Sequence, residues 1–379
     1  MVDFLEIDGS SAGELVVVAM SGGVDSSVAA ALLKQNGYSV VGVTLRLFGD
    51  NSNAGLDAAC INGAIHDAAC VAKFLGISHY IVNCEESFFK KVITPFTDSY
   101  VDGETPVPCV TCNKEVKMVE LLNFTREIGA SVLVTGHYVS SCYLSDGRRA
   151  MYRSVDEERD QSYFLHAISQ EQLNVLRFPL GGFSKLKTRA LARSFGLPVS
   201  DRRASQGVCF IPGGSNYMNV VRHMRPCAVK PGKIVHIDGR VLGVHNGISA
   251  FTVGQRRGIG ISSDNTLYVV KLDVVNNKVI VGDKEDLLSK YVELREFNWI
   301  GDCNVEDLFV KKAEVWARLR SRQALQPALL RFTEHGCPVV ELCYGEYGVA
   351  VGQACVLYDS GSAGARVLGG GIVCKVDCV

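Results

Sequence analysis

The chain has 379 residues, 39 Lys and Arg against 40 Asp and Glu, and is 47% hydrophobic. That length exceeds what one hydrophobic core usually holds, so two or three domains are expected. A formal charge of −1 argues neither for nor against nucleic acid; no apolar run is long enough to span a bilayer, and no tract is of low complexity.

Met1 to Glu14 carries Asp3, Glu6, Asp8 and Glu14 and no basic residue, unlike a secretory signal, so a cytosolic location is expected. Leu15 to Met20 is a short apolar run of the kind buried in a parallel sheet. A glycine-containing turn follows, then a helix from Ser26 to Asn36, stopped at Gly37. Val40 to Leu47 reads as a second strand, Leu56 to Leu75 as a long helix ended by Gly76, and His79 to Asn83 as a third strand. A helix from Lys114 to Ile128 precedes the strand Ser131 to Thr135. Strands alternating with helices predict an α/β fold with a doubly wound parallel sheet. Gln170 to Phe195 reads as helical and basic.

Beyond Gly213 the pattern changes. Lys233 to Ile237, the turn Asp238-Gly239 and Arg240 to Val244 predict a small hairpin region. From Tyr291 on, strands such as Ala313 to Arg320 and Val349 to Leu357 predict a small β-barrel or sandwich. The expected division is therefore 1–212, 213–290 and 291–379. Basic residues gather in two stretches: Lys185, Lys187, Arg189, Arg193, Arg202 and Arg203, then Lys311, Lys312, Arg318, Arg320, Arg322 and Arg331. Such clusters either track a phosphate backbone or form solvated faces. The 14 cysteines are scattered, as in buried packing positions rather than a disulfide framework.

Met20-Ser21-Gly22-Gly23-Val24-Asp25-Ser26-Ser27 sits between a buried strand and a helix start. Small residues there let backbone amides approach an anion at the positive end of the helix dipole. The loop lacks the Gly-Lys-Ser/Thr ending of a Walker loop, so simple γ-phosphate transfer is not implied. It resembles the PP-loop of ATP pyrophosphatases, which adenylate a substrate oxygen and release pyrophosphate.

Two cysteine contexts narrow the chemistry. Thr105-Pro106-Val107-Pro108-Cys109-Val110-Thr111-Cys112-Asn113-Lys114 places Cys112 just before a predicted helix, where the helix terminus and Lys114 should lower its pKa. Ser205-Gln206-Gly207-Val208-Cys209-Phe210-Ile211 places a second cysteine in a glycine-flanked turn. With Thr135-Gly136-His137-Tyr138, Arg159-Asp160-Gln161-Ser162-Tyr163-Phe164-Leu165, Phe251 to Gly258 and Leu368 to Ile372, these segments resemble, in one consistent order, those of the bacterial tRNA-specific 2-thiouridylases.

That resemblance implies a PP-loop domain, a small central domain and a C-terminal β-barrel. It implies that Ala19, Met20, Ser21, Gly22, Gly23, Val24, Asp25 and Ser26 hold ATP, with Leu45 and Gly136 on the adenine side and Mg2+ at the phosphates. It also implies that Cys209 receives sulfur as a persulfide and that Cys112 resolves it, with a Cys112–Cys209 disulfide reduced in each cycle. His137, Arg159, Asp160, Gln161, Arg318 and Gln353 would face tRNA. The implied substrate is the wobble uridine of lysine, glutamate and glutamine tRNAs, and the implied sulfur donor is a cysteine desulfurase or relay protein.

Cys109 departs from the family pattern, in which many relatives carry an Asp. A carboxylate role there is not carried over. Cys109, Cys112 and Cys209 instead offer three thiolates, enough for a four-iron–four-sulfur cluster with one open iron, a second route for sulfur. Another PP-loop enzyme, adenylating a small molecule or another tRNA position, would keep the loop but need no cysteine pair. A non-catalytic RNA-binding protein would need no intact loop.

Overall fold

The computed structural model describes residues 13–49, 58–202, 207–211, 216–263, 265–310 and 312–378. Expectations that touch the N-terminal segment, Leu56, Arg203, Ser205, Gln206, Pro212, Gly213 and Lys311 lie outside these residues. Among the described residues no helix is long and apolar enough to cross a membrane.

The first compact unit takes in the described residues up to Lys91, Cys109–Phe210 and Ser362–Val367. It opens with β1 (Leu15–Ala19), α1 (Val24–Gln35), β2 (Ser39–Arg46), α2 (Ala58–Leu75) and β3 (Ser78–Asn83), followed later by β4 (Val132–Val134) and a short strand at Leu176–Arg177. All five strands are parallel, in the order β3-β2-β1-β4-(Leu176–Arg177). Val16, Val17 and Val18 are fully buried, as expected of a central strand covered on both faces. α1 is rich in small residues, and Val28, Ala29 and Ala30 pack into the same core as Val16, Val18 and Val134. The chain order reverses at β1, so β2 and β4 flank it and their C-terminal ends open on one crevice.

Helix starts differ from the sequence reading in instructive ways. α1 begins at Val24, two positions before the expected Ser26, so Asp25 and Ser26 lie in its first turn. A helical stretch not foreseen runs through Glu85–Phe88, Phe89–Ile93 and Thr94–Val101, its middle part wound as a π-helix. Pro95 near the start of the last part cannot donate a backbone hydrogen bond, and the wider π turn just before it absorbs the break. The helix expected from Lys114 starts at Pro108 and continues through a π segment at Cys112–Lys117 into Met118–Glu127. Gln170 to Phe195 is not one helix. Gln170–Val175 and Lys185–Ser194 are separated by the short strand and by Pro179, Gly181 and Gly182, with Ser184 capping the second helix.

The second unit comprises Val92–Pro108 and the described residues of 211–361 and 368–379. It holds a four-stranded sheet, in the order Tyr268–Asp273, Lys278–Gly282, Gly232–His236, Val241–His245, the last two strands being the expected hairpin. It also holds a closed six-stranded barrel running from Leu288–Trp299 to Val367–Cys378. The barrel's interior is an aliphatic core built around Val292, Val315, Leu330, Val340, Leu342 and Leu357. Closure removes the free edges that a sandwich would leave.

Candidate active site

The loop between β1 and α1 is shaped by its own serines. Ser21 donates its amide to Ser26 Oγ at 3.1 Å, and Ser26 and Ser27 donate their hydroxyls to Gly23 O at 3.2 and 2.8 Å. No side chain caps α1 at Gly23, which leaves the positive end of a 12-residue helix facing the crevice. Gly22 has φ +70°, and a Cβ there would sit 2.1 Å from the carbonyl oxygen of Ala64 in α2. Any other residue would push the loop off α2. A Cβ on Gly136, which follows β4, would meet Ser26 N at 2.7 Å, so Gly136 closes the loop's other side. Leu45, at the end of β2, is half-buried on the same strand-end edge. Met20 is anchored by its amide to Val43 O and by its carbonyl to Thr44 Oγ1, both at 2.7 Å.

Asp25 is the charged centre of this loop. Both carboxylate oxygens lie 2.6 Å from Lys185 Nζ, and Oδ1 also accepts from the Tyr138 hydroxyl at 2.9 Å. Burial pushes the Tyr138 hydroxyl above its ordinary range, so it stays a neutral donor. Arg202 donates to Gly22 O at 2.9 Å and pairs with Asp67 of α2. The first basic stretch is therefore partly internal: Lys185 and Arg202 belong to the nucleotide loop, while Lys187 lies exposed over the Phe183 ring. In the sequence Lys185 belongs to a basic stretch that either tracks a phosphate backbone or forms a solvated face, and Tyr138 has no role; both instead bind Asp25.

The cysteines form a second centre in the same unit. Cys112 is 4% exposed and opens the π segment, in the second turn of the helix rather than before it. In an α-helix, residues five apart point about 140° away from each other; π winding brings that angle down to roughly 50°. Lys117 is thereby turned toward the face that carries Cys112, and its ammonium donates to Asn113 Oδ1 at 3.2 Å. Asn113 in turn donates to Phe164 O at 3.0 Å, fixing the pair against the Ser162–Leu165 helix.

The expected lowering of the Cys112 pKa is corrected. Burial raises the thiols of Cys109 and Cys112, and the charge opposing that rise comes from Lys117, not Lys114 or the helix terminus. Cys209 is raised by the surrounding protein as well, again opposed by Lys117. Although part of its surface reaches solvent, desolvation by the surrounding chain is the largest cause and pushes its thiol up to about 12. Burial alone would lower Lys117; the three thiols as thiolates outweigh it, and its pKa is raised. Cys109, Cys112, Cys209 and Lys117 thus share one electrostatic neighbourhood. His137 borders it: burial and then Lys117 hold its imidazole down to about 3, so it is neutral, with Nδ1 2.8 Å from the Thr135 hydroxyl. Among the described residues, no group of three or more His, Cys, Asp or Glu is placed to hold a metal ion.

The residues expected to face tRNA divide. Arg159 is exposed, and Gln161 is half-buried and brackets Tyr138, accepting its amide on Oε1 at 2.8 Å and donating its own amide to Tyr138 O at 3.0 Å. Asp160 and Arg318 do not face solvent. The Asp160 side chain has no exposed surface and binds Arg153 Nε at 3.3 Å and the Ser162 hydroxyl at 2.9 Å. Arg318 is 3% exposed and donates to Ser321 O. In the second unit, Gln353 donates to Thr105 O at 2.7 Å. Asp160→Ala takes the buried carboxylate away from Arg153 and Ser162 and leaves Arg153 its ion pair with the more exposed Glu157, so it should destabilise the fold by about 2 kcal/mol. Equilibrium denaturation measures that loss; an unchanged midpoint with weakened RNA binding would instead give Asp160 a direct contact.

Three family models cover the chain: a tRNA methyl transferase HUP domain over residues 14–213, a tRNA methyl transferase PRC-barrel domain over 221–283, and an aminomethyltransferase beta-barrel domain over 289–373. A tRNA-specific 2-thiouridylase MnmA of Rhodopseudomonas palustris is 52% identical over 98% of this chain and 94% of its own. The chain belongs to the tRNA-specific 2-thiouridylase family. Proteins of the same description in Bradyrhizobium diazoefficiens and Xanthobacter autotrophicus are 50% and 49% identical, covering 98% and 99% of this chain and 95% and 96% of theirs. The domain-model descriptions speak of methyl transfer, the full-length relatives of thiolation.

Proposed function

We propose that this 2-thiouridylase adenylates the C2 oxygen of a tRNA wobble uridine at the Ser21–Ser27 loop and replaces it with sulfur carried on Cys209. The observation that carries the reading is the conjunction, within one unit, of an uncapped helix N-terminus at Gly23 with three thiols sharing Lys117. Neither half alone distinguishes thiolation from other adenylating reactions.

The uracil carbonyl oxygen is a poor leaving group. Its attack on the α-phosphate of ATP converts it into an adenylate that departs as AMP. The amides at the start of α1 and the exposed Ser21 hydroxyl would receive the pyrophosphate, whose negative charge grows in that step, while Ser26 holds the loop in shape. Lys185 already neutralises Asp25 and stands at the same point. A magnesium ion suits this donor set: one carboxylate, one hydroxyl and the phosphate oxygens of ATP. Bound there, it would offset the charge of the departing pyrophosphate. His137, held neutral, can accept or donate one hydrogen bond to the base without adding charge beside Lys117. The persulfide on Cys209 then attacks C2, or releases hydrosulfide that does, and Cys112 attacks the sulfur–sulfur bond, leaving a Cys112–Cys209 disulfide.

The proposed substrates are lysine, glutamate and glutamine tRNAs, whose unpaired anticodon base costs little to unstack. A cysteine desulfurase or relay protein is the proposed sulfur donor. Mass spectrometry of tRNA nucleosides after incubation with ATP, magnesium and a persulfide donor should show 2-thiouridine, with one AMP and one pyrophosphate per thiolation. Pyrophosphate release without thiolation of any tRNA would overturn the sulfur step. Asp25→Ala should lower pyrophosphate release by about a hundredfold or more, since it removes the loop's only carboxylate and frees Lys185. Normal release from that variant would move adenylation away from the loop.

A further inference from the structure

Cys109 has no part in the cycle just described, yet it stands three residues before Cys112 at the start of the same helix. Helical residues three apart lie on one face, with Cα atoms about 5 Å apart, inside the span a disulfide bridges. Cys112 is 4% exposed, while Cys109 is half-buried and reachable from solvent. Both, like Cys209, sense the charge of Lys117.

We propose that Cys109 is the resolving thiol of the sulfur-transfer cycle: it attacks Cys112 in the Cys112–Cys209 disulfide and moves the oxidation onto a Cys109–Cys112 pair. The inference rests on the persulfide reading above. In the exchange, the Cys112–Cys209 bond breaks and the Cys109–Cys112 bond forms. Cys209 leaves with the electron pair and takes up a proton, which balances the one lost by Cys109. No net oxidation occurs in this step. An external dithiol of the reducing cytosol then opens the Cys109–Cys112 bond at the accessible Cys109 sulfur and is itself oxidised to a disulfide.

Three features favour this direction. The attacking thiol and its target are held on one helix, so the exchange benefits from intramolecular proximity. Cys209 is exposed, so the thiolate that leaves can be protonated from solvent, which opposes its return to the Cys112 sulfur. Its release also restores the sulfur acceptor at once, so it can be recharged before the external dithiol has acted.

The test uses the full-length enzyme with tRNA, ATP and a persulfide donor. After a single turnover without reductant, acid quenching and alkylation should map a Cys109–Cys112 disulfide, with Cys209 alkylated. Cys109→Ser should still give one product equivalent, trap Cys112–Cys209, and then turn over about tenfold more slowly than wild type at a limiting dithiol. A large excess of dithiothreitol should close that gap. A wild-type map showing only Cys112–Cys209, or an unchanged steady-state rate in Cys109→Ser, overturns the role of Cys109. If Cys209→Ser still thiolates, or wild type forms neither disulfide, the persulfide reading itself fails and the inference with it.

Discussion

Cys209→Ser reduces thiolation to below about a thousandth of the wild-type rate and leaves pyrophosphate release and tRNA binding within about twofold. A hydroxyl is nearly the size of a thiol, and Cys209 is exposed, so the substitution disturbs no packing. Oxygen, however, forms no persulfide, and the proposed cycle carries the transferred sulfur on Cys209 alone. The Asp25 loop lies on separate elements, held by Lys185, Tyr138, Arg202 and Gly136, none of which is bonded to Cys209. Activation and sulfur delivery should therefore separate cleanly. Accumulation of 2-thiouridine tRNA in the variant above a few per cent of wild type would show that sulfur travels by another route. Loss of pyrophosphate release in the same variant would show that the two centres cannot be treated apart.

The nucleotide loop could be read from sequence because its determinants are local. A buried strand, small residues and a helix start lie within a dozen positions, and the hydrogen bonds among Ser21, Gly23, Ser26 and Ser27 stay inside that stretch. The barrel and the hairpin region were legible for the same reason, from alternation and turn residues. Lys185 was not legible, because its partner Asp25 lies 160 positions away and only the packing of the Lys185–Ser194 helix brings them together. Asp160 was misread because a motif reveals that a residue type is required but not which way it points. Here the requirement is an internal bond to Arg153 and Ser162. The pairing of Cys112 with Cys209 came from resemblance alone. Nothing in their separate contexts indicated that Lys117 would bind both into one electrostatic group, since that depends on π winding of a segment that reads as ordinary helix.

Lys117→Gln slows single-turnover sulfur transfer by about ten- to a hundredfold near pH 7.5 and displaces its pH profile toward alkaline pH. Sulfur transfer needs thiolates, and burial holds the thiols of Cys109 and Cys112 above their ordinary range. At neutral pH the reactive fraction is then small, and it grows about tenfold per pH unit until the thiol pKa is reached. The wild-type rate should therefore climb with pH through the neutral range. Lys117 is the charge that works against burial at all three cysteines. Replacing it by a neutral amide removes that opposition, so each thiol pKa moves further up. The thiolate fraction at a given pH falls, and the climb extends to higher pH. Glutamine can still donate to Asn113 Oδ1, which keeps the Asn113–Phe164 link that positions the segment. Pyrophosphate release should not change its pH dependence, since the Asp25 loop contains no cysteine. Alkylation of Cys209 by iodoacetamide, followed against pH, gives a second measure independent of turnover. If Lys117→Gln slows sulfur transfer equally at every pH and leaves the alkylation profile in place, Lys117 supports the helix and does not ionise the thiols.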